Sequence, residues 1–214
     1  MNKISNIRFH FFISGKLQTF EEYAEYIESS LRSELYKFDE AFREESDEDK
    51  EEFIHFHYDE MAQFRDNFPA IMRNSLFISV YSFLEEKIIE LCNQPDETGI
   101  KLDDLQGNGI QRASLFIKKV MKKDFPDDTK EWHFIMNANQ IRNCIVHCGG
   151  DIDKTKSPTK VRNAVNELKN VTESRHSSIV LNEEFCLEFI KVVEKFLRKL
   201  YKIGDGVECR ELDN

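Results

Sequence analysis

Seven apolar residues, Phe20, Ala24, Ile27, Leu31, Leu35, Phe38 and Phe42, recur at four- and three-residue intervals. That spacing lays one stripe along an α-helix and scatters side chains over both faces of a strand. A six-turn stripe of this kind must be buried against other helices or against a sheet, and the rest of the chain points to helices. The 214 residues contain only four prolines and eight glycines, too few to punctuate an all-β chain. With 40% hydrophobic residues the chain can bury a sizeable core. The expected class is therefore all-α.

Thr19 with Glu22 reads as the capping box that opens this first helix, after an irregular or extended lead-in from Asn2 to Gly15. The acidic run from Glu44 to Glu52 reads as a solvated link or the first turn of a second helix, since like charges repel and stay wet. That second helix is expected over Lys50 to Asp66, burying some of Phe53, Phe56, Met61 and Phe64. Asn67 and Pro69 then supply a cap and a first-turn proline for the most apolar helix, Ala70 to Cys92. Leu76, Val80, Phe83, Leu84, Ile88 and Leu91 are its interior candidates.

A loop rich in breakers follows, with one short helical turn, and Asn108 or Gly109 starts a helix that lasts until Phe125-Pro126. Asp127, Asp128 and Glu131 resemble the N-terminal cap of the next helix, whose apolar stripe is Trp132, Ile135, Ala138, Ile141 and Ile145 and whose stop is Gly149-Gly150. Ser157-Pro158 opens a short helix to about Asn170. SSIVLN is briefly extended, and Asn182 caps a last helix with Phe185, Phe189, Val192, Val193, Phe196 and Leu200 inside and Gly204 at its end.

The formal charge of −10 argues against nucleic-acid binding over the whole surface, though not against a local basic patch. Five cysteines without framework spacing fit a reducing, cytoplasmic setting. The N-terminus carries Arg8 and His10 inside its apolar part and lacks the pattern of a secretory signal, and no stretch suits a membrane span. No glycine-rich phosphate loop, GxSxG or HExxH occurs, and His55 and His57 cannot share a helical face. Cys144, His147 and Cys148 offer donors at one-turn spacing, but no fourth ligand accompanies them, so neither a metal nor any other cofactor is expected.

The remaining chemistry concentrates in IRNCIVHCGG, Ile141 to Gly150. Arg142 and His147 stand about 140° apart around the helix axis, with Asn143 about 40° from the histidine. Cleavage of RNA without a metal needs a proton taken from the 2′-hydroxyl, one given to the leaving 5′-oxygen, and a cation for the charge on phosphorus. Histidine and arginine supply these. One motif carries one histidine; a two-fold dimer would bring two to one cleft. Arg162-Asn163 repeats the dipeptide without a histidine, so specificity rests on context.

From Phe68 to Ile203 that context resembles the HEPN superfamily, the nucleotide-binding domains of higher eukaryotes and prokaryotes. Its ribonuclease members carry Arg-x4-6-His, commonly with a polar residue after the arginine, and Arg142, Asn143 and His147 match one for one. SVYSFLEEKI looks like the family's earlier helix, where a glutamate supports the arginine; Glu85 is the first choice and Glu86 the second. The resemblance implies a HEPN-type helical bundle over residues 67–204, with an N-terminal helical extension over 1–66 and a frayed tail over 205–214. It further implies a homodimer with a composite site that cleaves RNA to a 2′,3′-cyclic phosphate and a 5′-hydroxyl, as a toxin or antiviral-defence effector. His147 would transfer protons, Arg142 hold phosphate, Asn143 orient the histidine or touch substrate, and Glu85 orient Arg142. Lys118, Lys119, Lys122, Lys154, Lys156 and Lys160 are candidate guides for the RNA backbone, against the plainer reading that lysines at a helix end offset its dipole. Gly149 stands where nucleotidyltransferase-paired toxins of the superfamily carry a tyrosine, so modification there is not implied. The alternative is a noncatalytic interaction module, or an antitoxin or immunity partner.

Overall fold

The computed structural model describes residues 7–93 and 99–203. The expected helix end at Gly204 and the tail beyond it lie outside the described residues. The architecture is all-α apart from one two-stranded ribbon. In chain order the helices are α1 (Gly15–Glu44), α2 (Lys50–Ala62), α3 (Phe68–Cys92), α4 (Gly109–Lys119), α5 (Lys130–Cys148), α6 (Pro158–Glu167) and α7 (Phe185–Leu200). Strands β1 (Val171–Glu173) and β2 (Ile179–Leu181) pair antiparallel, with Thr172 opposite Val180.

Four helices enclose the core. α3 and α7 run side by side in the same direction. Phe77 meets Phe185 and Phe189 at ring distances of 5.1 and 5.0 Å, and Tyr201 Oη donates to the Lys87 carbonyl at 2.9 Å. α5 runs opposite to α7, its Trp132 stacked on Phe196 at 5.4 Å. The first half of α1 covers the other side through Leu17, Ala24 and the Phe20–Phe83 contact. A half-buried bidentate pair, Arg73 Nε and Nη2 on Glu28 at 2.6 and 2.8 Å, joins α1 to α3, and Arg73 Nη1 donates to the Leu181 carbonyl of β2. α4 leans on α3, and α6 on α5.

The expected lead-in lies outside the described residues up to Asn6, and from Ile7 onward it is not extended. Residues from Ile7 are helical and pass through a π turn, His10–Ser14, straight into α1. Phe9, Ile13 and Leu17, four residues apart and all buried, continue the apolar stripe by two turns, and Phe9 packs on Tyr201. Thr19 consequently lies inside the helix, where its hydroxyl donates to the Gly15 carbonyl at 3.0 Å instead of capping.

The cap expected at Asn67 is also absent. Asn67 has helical angles, φ −76° and ψ −51°, and the chain stays helical from Lys50 to Cys92 through a second π turn, Gln63–Asn67. Phe68 N–H donates five residues back to the Gln63 carbonyl. The wider turn lets Pro69, which has no N–H to give, sit in an unbroken helix. The expected boundary at 66–67 thus falls within a continuous helical path.

α2 buries none of its residues. Phe53, Met61 and, in the π turn, Phe64 are half-buried, whereas Phe56 is 72% exposed. Phe53 meets Phe42, and Phe64 meets Phe38, at about 6 Å, so the second half of α1 and α2 form an arm joined by the acidic turn. α4 stops at Lys119, six residues short of Phe125, and Asn182 receives Phe185 N–H on its backbone carbonyl with no side-chain cap. Leu91 is half-buried, while the other interior candidates of α3 are buried.

Candidate functional site

Thr129 caps α5, its hydroxyl accepting from Trp132 N–H at 3.3 Å. The acidic residues expected there do other work. Glu131 is buried and takes the Lys199 ammonium at 2.7 Å. Burial pushes its carboxyl up, and Lys199 together with the backbone outweighs that and holds it below its ordinary range. Ile135, Ala138, Ile141 and Cys144 then fix which face of α5 points inward. At the far end Gly149 turns left-handed at φ 63°, Gly150 N–H reaches back to the Cys144 carbonyl at 3.1 Å, and the Gly150 carbonyl receives Ile179 N–H from β2. The end of the motif helix is thereby clamped to the ribbon.

On the sector left over lies a chain of polar contacts. Arg142 Nη1 donates to Asn143 Oδ1 at 3.0 Å, and Asn143 Nδ2 donates to Asn139 Oδ1 at 3.2 Å. The guanidinium carbon stands 5.6 Å from the centre of the Tyr81 ring on α3. Arg142 Nε is buried without a hydrogen-bond partner among the described residues. The arginine is half-buried and aimed into the α3–α5 crevice with open donors, whereas His147 on the next turn is exposed and makes no hydrogen bond or ion pair among the described residues.

Glu85 lies on the same side of α3 as Tyr81, one turn on. Its Oε1 is 2.7 Å from the point a Cβ at Gly109 would occupy, so the carboxylate is packed against the start of α4, where Gly109 has a left-handed φ of 55° that favours glycine. No ion pair joins Glu85 to Arg142; Tyr81 lies between their fields. Burial raises the pKa of its phenol, the Glu85 charge raises it further, and Arg142 pulls it back. Glu86 points elsewhere, bound to Lys87 at 3.0 Å.

The lysines divide into two groups. Lys118 is held by Asp127, and Lys119 and Lys122 are exposed. They lie where α4 ends and α5 begins, about 26 Å of helix from His147. The structure does not bring them to the motif, and three helix C-termini, those of α3, α4 and α7, meet this basic end. Lys154, paired with Asp151 at 2.9 Å, and the exposed Lys156 and Lys160 follow directly after the motif helix.

Cys144 is buried, which pushes its thiol up to about 11. Among the described residues no three His, Cys, Asp or Glu side chains are grouped to hold a metal ion, and no helix is long and apolar enough to cross a membrane. Asn139 and Tyr81 are the site residues that sequence reasoning missed. Each stands four residues before one it named, Asn143 and Glu85, and the i, i+4 interval was the available signal. No protein-family model matches the chain, and neither a curated protein nor a solved structure does.

Proposed function

We propose that the protein is a metal-independent endoribonuclease of HEPN type that acts as a homodimer, as a toxin or defence effector in the cytoplasm. The observation that carries this reading is the state of Arg142: half-buried against Tyr81, braced by Asn143 and Asn139, with Nε unpartnered among the described residues and donors left for a phosphate. His147 stands one turn further, about 7.5 Å along the axis and 140° around it. Such a separation sends the two groups of one chain in different directions. A second copy related by a two-fold axis is needed to set one chain's imidazole beside the other's guanidinium. His147 then moves the proton between the 2′-hydroxyl, phosphorus-bound oxygen and leaving 5′-oxygen, leaving a 2′,3′-cyclic phosphate.

The test is cleavage of a panel of RNAs in EDTA by the wild-type chain and by His147→Ala, with product ends analysed. The expected result is cyclic-phosphate ends from wild type and a loss of at least about 100-fold on substitution. Equal, intact RNA with both chains would reject the reading. A noncatalytic binding module is the second reading, favoured by the missing Glu85–Arg142 ion pair; it predicts RNA binding by both chains without cleavage.

A further inference from the structure

We propose that Asn139 is a substrate contact that grips the phosphate next to the one held by Arg142, so that the site takes two successive phosphates of one strand. That the strand is RNA rests on the ribonuclease reading; the contact itself rests on the polarity of the row Arg142, Asn143, Asn139. An arginine only donates, so the Asn143 atom that meets Arg142 Nη1 at 3.0 Å is its carbonyl oxygen, and the amide nitrogen of Asn143 is turned the other way. There it donates to Asn139 Oδ1 at 3.2 Å. The orientation of the last amide follows. Its oxygen is engaged inside the row, and its NH2 group forms the free end. Asn139 Nδ2 makes no hydrogen bond among the described residues and is not sealed from water, and the same holds for Arg142 Nη2.

The row therefore ends in donors on both sides and offers a free acceptor on neither. Asn139 stands about 4.5 Å along the helix axis and about 60° around it from Arg142, so both ends address the same side of α5. An asparagine reads a base through its oxygen and nitrogen together, and the oxygen of Asn139 is already taken. An NH2 group without its acceptor fits an oxygen that only accepts, and along a nucleic-acid strand the phosphate oxygens provide one at every step, whatever the sequence. The guanidinium takes one phosphate by itself. Asn139, beyond the Asn143 amide and nearly one turn closer to the start of the helix, meets the next. No carboxylate pairs with the row among the described residues, and Glu85 on the α3 side is packed against Gly109. A residue that served only to brace Asn143 would need its oxygen and nothing else, so an aspartate would do that work equally well.

The full chain is titrated by fluorescence anisotropy, in about 0.05 M salt, with an uncleavable 2′-deoxy single strand of about six nucleotides whose phosphates are replaced one at a time by uncharged methylphosphonate. In the wild type, replacement at two adjacent positions is expected to weaken binding about tenfold each. Asn139→Ala removes the sensitivity at one of these positions and keeps it at the other, and Arg142→Ala does the reverse. Asn139→Asp keeps the acceptor for Asn143 but turns a carboxylate outward, so for this variant the strand neutralised at the first of the two positions binds more tightly than the unmodified one. Sensitivity at both positions in Asn139→Ala, or a loss spread evenly over all positions, overturns the proposal and assigns Asn139 to bracing alone. RNA cleavage is assayed separately. A wild type that shows the two-position pattern and never cleaves overturns the ribonuclease reading and leaves this contact standing; a chain that cleaves without the pattern overturns the contact alone; and a chain that binds no strand overturns both.

Discussion

Arg142 owes its place to neighbours of two kinds, an aromatic face beneath it and a pair of amides beside it. The ring supplies a flat support that a change at Asn143 alone would not remove. Under the ribonuclease reading, Tyr81→Phe keeps the support and should keep activity, while Tyr81→Leu should lower RNA cleavage about 100-fold through misplacement of the guanidinium; equal losses from both variants would assign the effect to the phenol instead. Residue identity in this part of the site was half legible. Arg142, Asn143 and His147 announce themselves by charge at the end of a helix, but Tyr81 reads as core and Asn139 as ordinary surface until the fold sets α3 against α5. Glu131 misleads for the opposite reason: a carboxylate in a first turn looks like a cap, and only the approach of α7 reveals the lysine that takes it into the core.

Elements with a continuous stripe, α1, α3, α5 and α7, could be read from spacing because their burial is one-sided over many turns. What spacing cannot show is how two helices join. Asn67 and Pro69 carry the local signature of a start, yet a π turn absorbs the missing N–H and tertiary packing keeps the chain helical. Ion pairs between elements are testable at this scale. Glu131 is held below its ordinary carboxyl range, so its contribution is complete above about pH 5 and is lost as the pH falls through the depressed value. Lys199→Met should lower unfolding free energy by about 1–3 kcal/mol at pH 7 by leaving that carboxylate buried alone. The deficit should shrink toward pH 3, as followed by urea denaturation. Arg73→Met should cost more, about 3–5 kcal/mol, because Glu28 and the Leu181 carbonyl would lose their partner together.

At the scale of the whole molecule the bundle and the arm differ in cohesion. Phe77, Phe185 and Phe189 are fully buried in mutual ring contact and Phe196 is fully buried against Trp132, whereas α2 has only a half-buried seam. Amide exchange should therefore be sub-global, with α2 and the last turns of α1 opening before α3, α5 and α7; uniform protection measured by mass spectrometry would contradict this division. A π turn holds one residue more than the stretch of α-helix it interrupts, so all that precedes it is rotated by about 100° around the common axis. Gln63–Asn67 thereby sets the compass bearing of Phe56 and its surrounding carboxylates. A chain one residue shorter at this point would point the same side chains roughly a quarter-turn away while leaving Arg142 and His147 where they are, so length alone can retune what the appendage meets.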